Sequence, residues 1–281
     1  MSRVEDTYKD KIVVVTGGTS GIGRELVRQL AGYGANVYIG ARNVEAGDDL
    51  IVEMHAKKQK VTFIPLDVQD AATVEQFVNA IIQEEGRIDY LFHCAGVILG
   101  GEIRDHKLED IQNVLRTNVL GTAYVSFYVY RKMAEQGYGH IVNLSSAAGV
   151  MPIPLMGVYS SSKFMVLGLS ETLRMEGKDL GVRVSAVVPG IVDTPIYDRG
   201  TYSNTDKQQS KDIVKNRAST ISADKAARKI LKGTARNRAV IHTQAYVRLG
   251  WMSYRYFPHV FRFVCARYMK PYRSRLRKGG E

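Results

Sequence analysis

The sequence predicts a doubly wound α/β fold, a parallel sheet flanked by helices in a single domain. Three observations lead there. Short, wholly apolar runs rich in β-branched residues alternate with stretches of helical spacing. The first such run ends in a glycine-rich turn. The 281 residues, 45% apolar and 24% charged, suit one large α/β unit and exclude a disordered chain. Strands that are apolar on both faces need cover on both, which helices in right-handed crossovers supply.

Residues 11–16 (KIVVVT) read as the first strand, and Ile22, Leu26, Val27 and Leu30 place a helix after it. The alternation continues with strand 36–41, helix 44–57, strand 61–66, helix 71–85 and strand 89–93. One or two helices follow over 108–133, then strand 140–144, helix 159–180, strand 182–188 and a final strand near 239–242. Asn143-Leu144-Ser145 matches a glycosylation sequon inside a predicted buried strand, and is read as chance.

The net charge of +11 is unevenly placed. Residues 246–281 hold nine basic side chains and one acid, so 1–245 is close to neutral and any anionic partner belongs with the C-terminal segment. Two distant cysteines, Cys94 and Cys265, suit a reducing compartment, here the cytoplasm. The charged residues 2–11 are no secretion signal, and no apolar run is long enough for a spanning helix.

In doubly wound sheets ligands bind beyond the carboxyl ends of the strands. After the first strand comes Thr16-Gly17-Gly18-Thr19-Ser20-Gly21-Ile22-Gly23, whose glycines let the backbone approach a pyrophosphate at a helix N-terminus. After the second comes Arg42-Asn43, where NAD-selective sites carry an acid; a guanidinium there favours the 2′-phosphate of NADP. Tyr159 and Lys163, four apart on a helix, can converge on one ligand, the ammonium drawing the phenol pKa down toward proton exchange. Ser146, thirteen residues earlier at a strand end, adds a hydroxyl that could hold a carbonyl oxygen.

On these motifs, over about residues 9–195, the chain resembles the short-chain dehydrogenase/reductase family: Thr16 to Gly23 match its T-G-x3-G-x-G motif, and Tyr159 with Lys163 its Y-x3-K motif. The resemblance implies a catalytic set of Asn118, Ser146, Tyr159 and Lys163. It also implies coenzyme contacts from Gly17, Thr19, Ser20, Gly21, Ile22, Gly23, Arg42, Asn43, Asp67, Val68, Ala95, Gly96, Tyr159 and Lys163. The segment Pro189-Gly190-Ile191 with Thr194 completes that list. The family's N-N-A-G segment is here His93-Cys94-Ala95-Gly96, so a side chain that braces the sheet becomes a thiol, a departure that bears on stability.

The implied reaction is reduction of a lipophilic ketone by NADP(H) without a metal. Tyr159 would give a proton to the oxygen and Ser146 would hold it. Lys163 would bind ribose hydroxyls, and Asn118 would fix a water near that lysine. Two other readings stand: an alcohol or hydroxysteroid-type dehydrogenase working oxidatively, and a non-catalytic NADP-sensing scaffold. Residues 195–220 fall where the family places its substrate lid, and Lys207, Lys211, Lys215 and Arg217 there suit either an anionic handle or a solvated helix. The extension 246–281 interleaves arginines with aromatics, and Pro258 breaks it in two. It suits an anionic membrane surface, or equally a cover for the pocket or a contact in a homo-oligomer, dimer or tetramer. The neutral body argues against nucleic acid.

Overall fold

The computed structural model describes residues 4–205, 208 and 219–276 of the chain. Seven strands make one parallel sheet: β1 (Ile12–Thr16), β2 (Asn36–Ala41), β3 (Val61–Pro65), β4 (Tyr90–His93), β5 (Gly139–Leu144), β6 (Val182–Val188) and β7 (Val240–His242). Their order is 3-2-1-4-5-6-7. β1 lies between β2 and β4, so the crossovers leave it in opposite directions and a crevice opens at the carboxyl ends of the strands. This is the predicted doubly wound, Rossmann-like architecture.

The alternation along β1 shows why the strands are apolar throughout. Val13 and Val15 enter one core with Leu26, Leu30, Leu50 and Ile230, while Ile12 and Val14 enter another with Phe77, Ile81, Val125 and Met133. The first core is closed by α1 (Gly21–Gly32), α2 (Val44–Ala56) and α6 (Ala223–Ala235). The second is closed by α3 (Ala71–Glu85) and α4, which runs through 108–136, with α5 (Gly157–Glu176) beside α4. Caps fix the starts of α2 and α3: Asn43 Oδ1 accepts from Ala46 N at 3.0 Å and Asp70 Oδ1 from Ala72 N at 2.9 Å.

The sequence left α4 as one or two helices. It is continuous, but its middle turn, Leu115–Leu120, is a π-helix between α-helical Leu108–Val114 and Gly121–Gln136. Three features escaped the sequence reading. A short helix, Glu5–Tyr8, plugs the first core with Tyr8, whose hydroxyl donates to Leu231 O at 2.8 Å. Helix α6 covers the sheet, and two short parallel pairs tie loops together: Leu99–Gly100 with Thr201–Tyr202, and Val192–Asp193 with Ile221–Ser222. The strand pairs are tertiary contacts with no periodicity to read, whereas α6 does carry helical spacing, in Ala226, Ala227, Ile230, Leu231 and Thr234. Asn143 of the sequon is fully buried and its amide donates to Ser126 and Ser170 hydroxyls, as its place in a core strand requires.

After β7 come α7 (Ala245–Tyr256) and α8 (Pro258–Leu276), divided at Pro258, where a first-turn proline forfeits no helix hydrogen bond. No helix among the described residues is long and apolar enough to cross a membrane. The lid residues Lys207, Lys211, Lys215 and Arg217 lie outside the described residues.

Candidate active site

A cleft of about 390 Å³ opens over the ends of β1, β2, β4, β5 and β6. Its floor at β1 is the glycine turn. Gly17 has φ +68, and a Cβ there would sit 2.7 Å from Ala95 N. A Cβ on Gly23 would drive into the Gly17 carbonyl. Glycine is thus required twice, for a left-handed turn and for helix α1 to start against its own loop. Ser20, Gly21 and Ile22 line the same wall, leaving the α1 N–H groups free for an anion. Arg42, exposed at the tip of β2, lines the far end. Among its lining residues there is no aspartate or glutamate. The donor set and the glycine cradle therefore fit a dinucleotide.

The opposite wall is built by one helix seated on one strand end. Ser145 Oγ donates to Lys163 O at 2.8 Å, and Lys163 Nζ donates to Leu144 O at 3.0 Å, so α5 and the tip of β5 hold each other. This brings Tyr159, Lys163 and Ser146 to the same cleft. Ser146 caps the short turn Ala147–Gly149, its Oγ accepting from Ala148 N at 3.1 Å.

Asn118 stands behind this wall, in the π turn of α4, fully buried. Its Oδ1 accepts from Val97 N and its Nδ2 donates to Val97 O, both at 2.9 Å, and Nδ2 also reaches Ser162 Oγ at 3.1 Å. A π turn is an insertion that sequence periodicity does not announce, and such turns concentrate at functional sites.

Burial governs the charges. It raises the Tyr159 phenol above its ordinary pKa, against which a hydrogen bond with the Ser146 hydroxyl works in the opposite direction. The sequence led us to expect a phenol lowered by Lys163. Instead the ammonium lies 5.8 Å from the ring centroid and is itself pushed down to about 8 by desolvation.

The remaining expected contacts divide. Gly17, Ser20, Gly21, Ile22, Gly23, Arg42, Ala95, Gly96, Pro189, Gly190 and Thr194 line the cleft together with Ser146, Tyr159 and Lys163. The Asn43 side chain is spent capping α2. Asp67 turns its carboxylate onto Gln69 N at 3.0 Å, and Val68 is buried against α4. Thr19 is buried outside the lining, and Ile191, also outside it, spends its backbone N–H on Tyr246 Oη and its carbonyl on Gln244 Nε2.

The sequence reading missed two supports. Gln244 Oε1 accepts from Gly190 N at 2.8 Å and its Nε2 donates to Ile191 O at 2.7 Å, while Tyr246 Oη accepts from Ile191 N at 2.8 Å. The residues just before and after the start of α7 thus brace the loop after β6. The second support is His93, with which this chain departs from the family pattern. Thr122 spends its hydroxyl proton on Asn118 O at 2.7 Å, so it must accept from His93 Nε2 at 3.1 Å; His93 Nδ1 then accepts from Thr16 Oγ1 at 2.7 Å. His93 is thus a neutral, fully committed imidazole that ties the end of β1 to α4. Burial takes its pKa to about 3. Cys94 beside it is pushed up to about 12, an unreactive thiol.

A family model described as short chain dehydrogenase matches residues 11–203. The chain belongs to the short-chain dehydrogenase/reductase family. It is 37% identical to an uncharacterised oxidoreductase of Thermotoga maritima over 183 residues, 65% of this chain and 72% of that one. Among solved structures it resembles a short-chain dehydrogenase/reductase from Burkholderia phymatum in complex with NAD, with TM-score 0.79, 28% identity, and 88% and 95% of the two chains covered. It also resembles an actinorhodin polyketide ketoreductase variant with NADPH, with TM-score 0.76, 26% identity, and 86% and 98% covered. The chain is therefore an oxidoreductase of a nicotinamide-binding fold.

Histidine burial sets an acid limit on stability. His93 and His140 both have pKa values near 3 in the fold and about 6.5 when unfolded, so below pH 6.5 the unfolded state binds the extra protons and stability falls with pH. His93→Asn should make that fall shallower by about 0.7 kcal/mol per pH unit at pH 6.5, rising toward about 1.4 at pH 5, measured by urea unfolding across that range. An unchanged slope would contradict the burial of His93 as a neutral ring.

Proposed function

We propose that the chain is an NADPH-dependent ketoreductase for a lipophilic carbonyl compound. The observation that carries this reading is the meeting of Tyr159, Ser146 and Lys163 at the apolar end of a cleft lined by no carboxylate. Ile98, Ala148, Ile153, Met156, Ile196 and Tyr197 pack around Tyr159 and offer an apolar seat for substrate. When bound, the reduced nicotinamide supplies hydride to the carbonyl carbon.

Tyr159 Oη gives its proton to the carbonyl oxygen, which leaves as an alcohol hydroxyl. A phenol raised by burial keeps that proton until the oxygen takes it. Ser146 donates to the same oxygen and stabilises its growing charge. Lys163 binds the coenzyme ribose hydroxyls, and its charge eases proton loss from Tyr159. Asn118 positions the loop at Val97 and would fix a water near Lys163. Arg42 takes the 2′-phosphate of NADP(H), an assignment supported by its place at the tip of β2 and by the lack of an acid in the lining.

A second element of the proposal concerns α7 and α8. Val247 faces inward, fully buried, whereas Leu249 (66% exposed), Met252, Tyr256, Phe257, Val260, Phe263 (69% exposed) and Val264 face solvent. Arg248, Arg255 and Arg262 are exposed among them. A contact between two copies of this face would oppose like charges, so an anionic bilayer surface is the better partner, and any dimer or tetramer would form through other faces. The free cysteines agree with a cytoplasmic location at that surface.

Tyr159→Phe should cut ketone turnover at least about a hundredfold while NADPH affinity, read by coenzyme fluorescence, stays within about twofold; retained turnover would refute the proton-donor role. Arg42→Asp should weaken NADPH binding by about ten- to a hundredfold with NADH little changed, and an equal loss of both would overturn the coenzyme assignment. For the surface, the full chain should sediment with vesicles of phosphatidylcholine and phosphatidylglycerol but not of phosphatidylcholine alone. The double variant Phe263→Asp, Val264→Asp should stay in solution, and indifference to lipid charge would remove the membrane reading.

A further inference from the structure

We propose that Arg199 recognises an anionic group on the substrate, which makes the substrate an apolar ketone that carries a carboxylate. The inference rests on the ketoreductase reading of Tyr159 and narrows it to a substrate class. Three cations line the cleft, Arg42, Lys163 and Arg199. Arg42 stands at the tip of β2, and Lys163 is committed to Leu144 O beside Tyr159. Arg199 is left over.

Its position points to substrate. The segment after β6 starts beside the glycine turn, where Thr194 would lie 3.2 Å from a Cβ on Gly21, and ends with Gly200 packed on Ile98. Arg199 closes the single turn Ile196–Arg199, three residues from Ile196, so the two share a face. Ile196 and Tyr197 pack in the cluster of Ile98 and Tyr159. Arg199 thus stands at the phenol end of the cleft, away from the turn whose N–H groups face a pyrophosphate.

The backbone that carries it is held firmly. Asp198 N and Arg199 N both donate to Pro195 O, at 3.1 and 3.0 Å, and Tyr202 Oη donates to Tyr197 O at 3.3 Å. The Thr201–Tyr202 strand then pairs with Leu99–Gly100. Among the described residues no ion pair joins the Arg199 guanidinium to an acid. An exposed fork of N–H donors on a held backbone beside an apolar seat, with no ion-pair partner among the described residues, is complementary to a carboxylate at the end of an apolar chain, which accepts two parallel hydrogen bonds.

Binding without turnover tests this. The full-length chain saturated with NADP+ is titrated calorimetrically with a medium-chain alkyl carboxylate, its methyl ester and the alkyl phosphate. The carboxylate should bind at least about tenfold tighter than the ester. Arg199→Gln should erase that preference, with NADP+ affinity within about twofold of the parent; Arg199→Lys, which keeps the charge and loses the fork, should restore part of it. Equal affinity for acid and ester, or a phosphate bound more tightly than the carboxylate, would overturn the proposal. So would a tenfold loss of NADP+ affinity in Arg199→Gln, which would give the guanidinium to the coenzyme pyrophosphate. Failure of the ketoreductase reading looks different: ketones would leave NADPH unoxidised while the acid preference persisted.

Discussion

The cleft depends on Asn118 gripping the backbone of Val97 with both ends of its amide. The loop after β4 must pass close to the glycine turn, with Ala95 against Gly17, and must also leave room for a ligand above it. A side chain that satisfies both the N–H and the C=O of one residue fixes that loop as a strand partner would. The π turn of α4 is what brings the amide into reach, and its third bond, to Ser162, fastens the same junction to the helix that carries Tyr159 and Lys163. Three elements distant in sequence are registered through one buried side chain, and an orphaned amide there would be costly.

Around that junction burial, more than pairing, sets the protonation states. Desolvation lowers Lys163 to about 8, drives His93 to about 3 and raises Tyr159. Lys163 also depresses His93 further, and His93 in its neutral form completes the chain from Thr16 through Thr122 to the Asn118 carbonyl. The polar groups are thus mutually consistent: one cation is allowed, and its neighbours are neutral donors and acceptors. In a cleft whose described lining holds no carboxylate, an anionic ligand restores the charge balance, which links the fold's electrostatics to its use of a dinucleotide.

Much of this was legible in the sequence. The β-branched runs gave the seven strands within a residue or two, because strands buried on both faces carry an unmistakable composition. Tyr159, Lys163, Ser146 and the glycine turn were found from local spacing, and the structure brings them to one cleft. What stayed hidden is what tertiary packing decides. The π turn at Asn118 breaks no obvious pattern, and nothing near Gln244 or Tyr246 reveals that they brace a loop some fifty residues earlier. The direction of the Tyr159 shift was misjudged because spacing reports a neighbouring ammonium but not the loss of water. At position 93 a change of residue type was visible, while the two threonines that make a histidine workable there were not.

The most direct measurement is a crystal structure of the chain with NADP+. The account expects the nicotinamide ribose hydroxyls within hydrogen-bonding distance of Lys163 Nζ, the 2′-phosphate at Arg42, and both Asn118 to Val97 bonds intact. A dinucleotide bound elsewhere, or in this cleft only after Asn118 has released Val97, would contradict it.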